Sequence, residues 1–195
     1  MAKKTKALST YRRKRNFKIT PEPESGTSPA KGQPIFVIHK HAASHLHYDF
    51  RIEIDGVLAS WAVPKGISTD PSVKHLAMPT EDHPYDYAHF EGIIPKGQYG
   101  GGTVMEWDIG TYRNLKMKNG KPVPMAKCKD MGSIEIWLEG KKLQGGYALI
   151  RAARKTGETF WLLLKMRDEY ADTKIPNANK SALTGRTMQQ IAEAG

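Results

Sequence analysis

Apolar positions in this chain recur at every second residue over short runs, and Gly and Pro separate the runs. Between Gln33 and Ala171 the runs fall at residues 36–38, 46–54, 58–63, 102–107, 133–138, 146–151 and 160–166. A period of two belongs to a strand with one face buried, whereas the 3.6-residue period of a long helix is scarce here. Turn pairs such as Asp55-Gly56, Asn119-Gly120 and Glu139-Gly140 stand between runs. Many short strands joined by turns predict a mainly β fold, a small closed or nearly closed β-barrel with short helices, rather than a βαβ sheet.

The two ends of the chain read differently. Residues 1–34 carry Lys3, Lys4, Lys6, Arg12, Arg13, Lys14, Arg15 and Lys18, with no acidic residue before Glu22, and then a Pro/Ser/Gly-rich stretch to Pro34. This pattern predicts a flexible basic N-terminal arm ahead of a barrel domain over 35–171. Residues 172–195 are polar and predict a tail or linker, with Thr187 and Gln190 at capping-box spacing before Ile191 to start a short C-terminal helix.

Composition narrows the choice of partner and of metal chemistry. A chain of 195 residues with a formal charge of +10 is large enough for one good core and is suited to an anionic partner, nucleic acid or an acidic membrane. No stretch approaches the roughly 20 apolar residues of a membrane span. The Arg12-Arg13 pair is followed by Lys14-Arg15-Asn16-Phe17-Lys18, which is charged where an export signal is apolar. A cytoplasmic protein without a membrane partner is expected. Cys128 is the single cysteine, so a metal site within one chain must use His and carboxylate.

Candidate chemistry concentrates between Phe36 and Ile54. Read as a strand, residues 45–54 place His45, His47, Asp49, Arg51 and Glu53 on one face and Leu46, Tyr48, Phe50, Ile52 and Ile54 on the other. A solvated strand face favours Thr, Lys, Glu and Ser, so His, His, Asp and Arg in a row point to a site. His47 and Asp49 lie side by side on such a strand, and His41 reaches them from the preceding turn. Two imidazoles and one carboxylate suit manganese, zinc, iron or cobalt and leave positions open. The same triad also serves oxygenase iron. Arg51 favours phosphate, because a guanidinium offers a planar fork for it. A non-catalytic module that holds DNA ends through its basic charge is a further reading. A second cluster, Glu81-Asp82-His83-Pro84, is a shaped turn expected to display His83 at a rim. There it would donate a hydrogen bond to phosphate or protonate a leaving oxygen.

Several segments carry a family resemblance. These are His41 to Arg51, Trp61-Ala62-Val63-Pro64-Lys65-Gly66, Glu81-Asp82-His83-Pro84 with Tyr87, and Phe90-Glu91-Gly92-Ile93-Ile94-Pro95 followed by Gly97-Gln98-Tyr99-Gly100. With Tyr11-Arg12-Arg13-Lys14-Arg15 before them and Trp161-Leu162-Leu163-Leu164-Lys165 after, the chain closely resembles the 3′-phosphoesterase domain of bacterial DNA ligase D, an enzyme of non-homologous end joining. The resemblance implies a manganese-dependent enzyme, with zinc or cobalt as substitutes. It would act on primer-template or broken duplex ends, removing a 3′-terminal ribonucleoside and then the 3′-phosphate. His41, His47 and Asp49 match the family's metal ligands. Arg51, His83 and Tyr87 match the groups around the scissile phosphate, and Lys65, His75, Glu81, Arg13 and Arg15 are outer substrate contacts. His39 stands where the family often has Gln, His75 where it has Arg, and Asn16 where it has Asp. Residues 183–187 resemble the linker into the ligase module. The partners this implies are ligase and polymerase modules of one polypeptide and an end-binding protein, and a free-standing phosphoesterase fits the residues equally.

Overall fold

The computed structural model describes residues 8–26, 28–29 and 32–194. Short helix α1 (Ser9–Arg13) precedes β1 (Ile35–Ala42), β2 (Leu46–Ile54), β3 (Val57–Val63), β4 (Lys74–Pro79), β5 (His83–Pro84), a 3-10 turn at Tyr85–His89 and β6 (Gly92–Ile94). There follow β7 (Gly102–Asn114), the hairpin of β8 (Met117–Lys118) and β9 (Lys121–Pro122), α2 (Met125–Met131), β10 (Ser133–Gly140), β11 (Gln144–Ala153), β12 (Thr159–Lys165) and α3 (Met188–Glu193). Antiparallel pairing runs β1-β2-β3-β4-β12-β11-β10-β7, and β7 pairs back onto β1. The result is a closed eight-stranded barrel, the architecture the seven alternating runs imply, with β4 as the eighth strand that they did not mark.

Alternation decides which side chains go where. Phe36, Ile38, Phe50, Ile52, Trp61, Met105, Trp107, Leu138, Leu149, Trp161 and Leu163 fill the barrel interior. The intervening residues of β1 and β2 point outward, yet this outer face is also covered. Val37, Leu58 and Val104 on the strands form a second apolar cluster with Tyr11, Tyr87, Ala88, Phe90 and Ile94. At the end of β1 the chains approach closely: a Cβ on Gly102, whose φ is +145°, would lie 2.1 Å from the Ala42 carbonyl oxygen. Glycine is required there.

Residues 8–26 depart from the expected flexible arm. Tyr11 is wholly buried and its hydroxyl donates to the Pro23 carbonyl at 2.6 Å, while Leu8, Thr20 and Glu22 are buried too. Few apolar residues stand in this basic stretch, and the patch that receives them is assembled from several strands, so no local pattern announces the docking. Lys3, Lys4 and Lys6 lie outside the described residues. At the other end the capping box forms as its spacing predicts: Gln190 N–H donates to Thr187 Oγ1 at 3.3 Å and Thr187 N–H to Gln190 Oε1 at 2.9 Å, ahead of buried Ile191. The preceding tail lies across β7, where Trp107 Nε1 donates to the Ala178 carbonyl at 2.7 Å. Among the described residues no helix is long and apolar enough to cross a membrane.

Candidate active site

The register of β1 against β2 assembles the site. His41 lies opposite His47, His39 opposite Asp49, and Val37 opposite Arg51, all on the outward face. Ligand atoms of His41, His47 and Asp49 lie within 4.8 Å of one another. His41 Nδ1 and His47 Nε2 are each 3.7 Å from Asp49 Oδ2. Backbone carbonyls set the tautomers: His41 Nε2–H donates to Gly100 O at 2.8 Å, and His47 Nδ1–H to His45 O at 2.9 Å. In the neutral form each ring therefore turns its lone-pair nitrogen toward the carboxylate, the arrangement a metal-binding imidazole uses. Burial opposes the charge on Asp49, but Arg51 together with His41 and His47 outweighs it, holding the carboxyl well below the usual range. Two neutral imidazole nitrogens and an ionised carboxylate fit a mid-row divalent cation.

Arg51 links this triad to a second group of residues. Buried on β2, it donates from NH2 to Asp49 Oδ2 at 3.1 Å and from Nε to His39 Nδ1 at 3.3 Å, and its NH1 packs 2.9 Å from His83 Nδ1, whose N–H is given to the Glu81 carbonyl at 2.8 Å. His39 is thus occupied as an acceptor. Burial, reinforced by Arg51, pushes it down to about 3, so it stays neutral. Tyr87 lies beneath Arg51, its ring centroid 5.0 Å from the guanidinium carbon and 4.7 Å from the His83 ring. Burial holds the Tyr87 hydroxyl protonated.

His83 is not at a rim. It sits in β5, paired opposite Leu58, and is buried. The strand-edge position follows from a free stretch of β3 that local sequence does not reveal. Its Nε2 faces Arg15 NH2 at 3.2 Å while Nδ1 faces Arg51, so the ring lies between two guanidiniums. Burial first, then Arg51 and Arg15, hold His83 well below the ordinary histidine value.

Arg15 arrives from the docked N-terminal segment. Its Nε pairs with Glu22 at 2.8 Å, its NH1 with Glu81 Oε1 at 2.9 Å, and its guanidinium carbon stands 3.8 Å from the Tyr11 ring centroid. The other Glu81 oxygen accepts from Lys14 Nζ at 2.9 Å, and the same ammonium reaches the Tyr99 hydroxyl at 2.9 Å. Glu81 therefore anchors two cations, and although burial opposes its charge they hold its carboxyl below the usual range.

A recess of about 160 Å³ is walled by the triad, Arg15, Arg51 and His83, with Glu81 and Tyr87 also at its surface. Three residues named from the sequence are elsewhere. Lys65 is exposed in the turn after β3, Arg13 is exposed on α1, and His75 on β4 gives its Nδ1–H to the Gly66 carbonyl at 2.6 Å. None of the three lines the recess. Sequence reasoning overlooked Glu22, Lys14 as the partner of Glu81, and Gly100 as the group orienting His41. Only the Gly97-Gln98-Tyr99-Gly100 run hinted at the last.

A family model for the DNA ligase D 3′-phosphoesterase domain matches residues 39–151, more than half of the chain. The chain belongs to that family. The match contains the triad, Arg51, Glu81, His83 and Tyr87, while Arg15 and Glu22 lie outside it. Relatives of the phosphoesterase family include a multifunctional non-homologous end joining protein LigD of Pseudomonas aeruginosa, 46% identical over 167 residues, covering 84% of this chain and 19% of that protein. A multifunctional non-homologous end joining DNA repair protein LigD of Mycobacterium tuberculosis is 44% identical over 169 residues, 86% of this chain and 21% of that protein. The chain thus spans about a fifth of the length of these relatives.

Proposed function

We propose that the protein is a manganese-dependent 3′-phosphoesterase that prepares DNA ends for joining, removing a 3′-terminal ribonucleoside and then the 3′-phosphate to leave a 3′-OH. The observation that carries this reading is the shared oxygen, Asp49 Oδ2, which faces both free histidine nitrogens and also receives Arg51. A cation site and a guanidinium fork are thereby joined at one atom. An oxygenase triad has no need of such a fork, and the second guanidinium of Arg15 on the same recess strengthens the case for phosphate. Membership of the phosphoesterase family supports the same chemistry.

His41, His47 and Asp49 would hold the cation, which when bound supplies Lewis-acid polarisation of a phosphoryl group. The protein's own contribution is two preorganised positive charges. Arg51 is fixed by Asp49 and His39 and Arg15 by two carboxylates, so neither must reorganise as charge builds on phosphoryl oxygens. His83 gives its Nδ1–H to the Glu81 carbonyl at 2.8 Å and turns Nε2 to Arg15 NH2 at 3.2 Å, so in our reading the neutral ring spaces and orients the two arginines rather than carrying a proton to the leaving oxygen. Such an enzyme would work on broken duplex ends in the cytoplasm, beside a ligase that seals its product.

The test is cleavage of a labelled primer-template ending in one ribonucleotide, run with manganese, magnesium, zinc or chelator, beside His47→Ala. Stepwise release of nucleoside and then phosphate is expected with manganese and not in the variant. Binding of the primer-template without turnover under any metal would overturn the reading in favour of an end-holding module.

A further inference from the structure

Two grooves adjoin the recess, each sharing a different part of its lining. One, of about 400 Å³, shares Thr80, Glu81 and Tyr99 with the recess and continues along Thr10, Lys14 and Asp82. The other, of about 380 Å³, shares Ala43 and Ile94 and continues along Lys96, Gln98 and Thr103. Each is large enough for a base and a sugar, whereas the recess is not.

Their electrostatics differ. The Tyr99 groove holds two carboxylates, and its one cation is already committed: Lys14 binds Glu81 and the Tyr99 hydroxyl, while Asp82 pairs with Lys129 at 3.0 Å. Tyr99 itself leaves about half of its surface exposed. The Lys96 groove has no Asp or Glu in its lining, and exposed Lys96 has no ion-pair or hydrogen-bond partner among the described residues.

The substrate proposed above has a matching asymmetry. In the first step water attacks phosphorus and the bond to the 5′ oxygen of the last ribonucleoside breaks. The departing nucleoside takes a proton on that oxygen, and the primer keeps the phosphate. In the second step water splits the bond between phosphorus and the primer 3′ oxygen, giving inorganic phosphate and a 3′-OH. The part beyond the scissile phosphate is an uncharged nucleoside, whereas the part before it carries one negative charge per nucleotide.

We propose that the Tyr99 groove receives the departing 3′-terminal ribonucleoside and the Lys96 groove receives the primer strand. This assignment rests on the functional reading above. A groove whose carboxylates are already matched by Lys14, Arg15 and Lys129 offers no free charge to a phosphate chain but accepts sugar hydroxyls and a base beside an aromatic ring. An unpaired lysine in an acid-free groove suits the polyanionic side.

The experiment compares two primers on one template, one ending in a ribonucleotide and one in a 3′-phosphate, with manganese. Thr10→Trp fills the Tyr99 groove, Tyr99→Ala removes its wall, and Lys96→Glu reverses the charge of the other. The first two are expected to lower the ratio of nucleoside release to phosphate removal about tenfold; Tyr99 also borders the recess, so Tyr99→Ala slows phosphate removal as well and the ratio, not either rate, is the readout. Lys96→Glu should slow both steps together and leave the ratio unchanged, more severely at low salt. A ratio that stays constant in Thr10→Trp and Tyr99→Ala, or that shifts only in Lys96→Glu, would overturn the assignment. If the wild-type protein processes neither primer, the functional reading fails instead. If it processes both without the split, only the groove assignment fails.

Discussion

Arg51 NH2 lies 3.1 Å from Asp49 Oδ2, the same oxygen that stands 3.7 Å from the free nitrogens of His41 and His47. One carboxylate oxygen thereby couples the candidate cation site to the candidate phosphate site. Arg51 also gives its Nε–H to His39 Nδ1, and a rigid guanidinium addresses these two acceptors in fixed directions that an ammonium on a flexible stem does not. Arg51→Lys is therefore expected to lower kcat for 3′-phosphate removal on the order of a hundredfold, despite keeping the charge. Steady-state kinetics beside a metal titration checks this, and near-normal turnover would show that charge alone suffices.

Metal binding should reside in the triad and be separable from folding. His47 is the most exposed of the three, so its removal leaves little unsatisfied. Manganese at about a hundred times its Kd should stabilise the wild-type protein by about 2.7 kcal/mol in denaturant melts. His47→Ala is expected to fold with unchanged stability in chelator and to lose that gain.

The docking of residues 8–26 makes Tyr11 a structural and a functional residue. Its ring is fully buried, lies 5.0 Å from the His83 ring and supports Arg15. Tyr11→Ala should destabilise the fold by about 3–5 kcal/mol, as for other large aromatic truncations, and slow phosphate removal at least tenfold. A flexible arm would leave urea midpoints unchanged, so equilibrium unfolding distinguishes the two.

Buried His83 should contribute to acid lability. Its folded-state pKa is depressed, so below about pH 6.5 the unfolded chain binds a proton that the folded chain does not. Its contribution is thus present above that pH and declines as pH falls, by about 1.4 kcal/mol per unit. Urea melts of metal-free protein between pH 7 and 5 should show a shallower slope for His83→Gln by about that amount. An identical slope would mean that His83 titrates normally in the folded state.

Seven of the eight barrel strands and the chemical residues of β2 could be read from the sequence, because a period of two is a property of neighbours along one chain; β4, mostly exposed and ending in Pro79, could not. The turn pairs and the alternation implied a barrel, and the spacing of Thr187 and Gln190 implied the capping box that forms. His47, Asp49 and Arg51 were legible together for the same reason: residues two apart on a strand share a face. What local pattern does not encode is which strand lies opposite and what covers the outer face. The register of β1 on β2 decided that His41 meets His47 and that His39 is taken by Arg51 rather than by the cation site. Packing of a basic, sparsely apolar segment onto a patch drawn from several strands brought Arg15 to His83, and pairing of β5 on β3 buried a histidine that its turn-like sequence placed at a rim. These contacts join residues far apart in sequence, and the burial that stabilises them exists only once the barrel has closed.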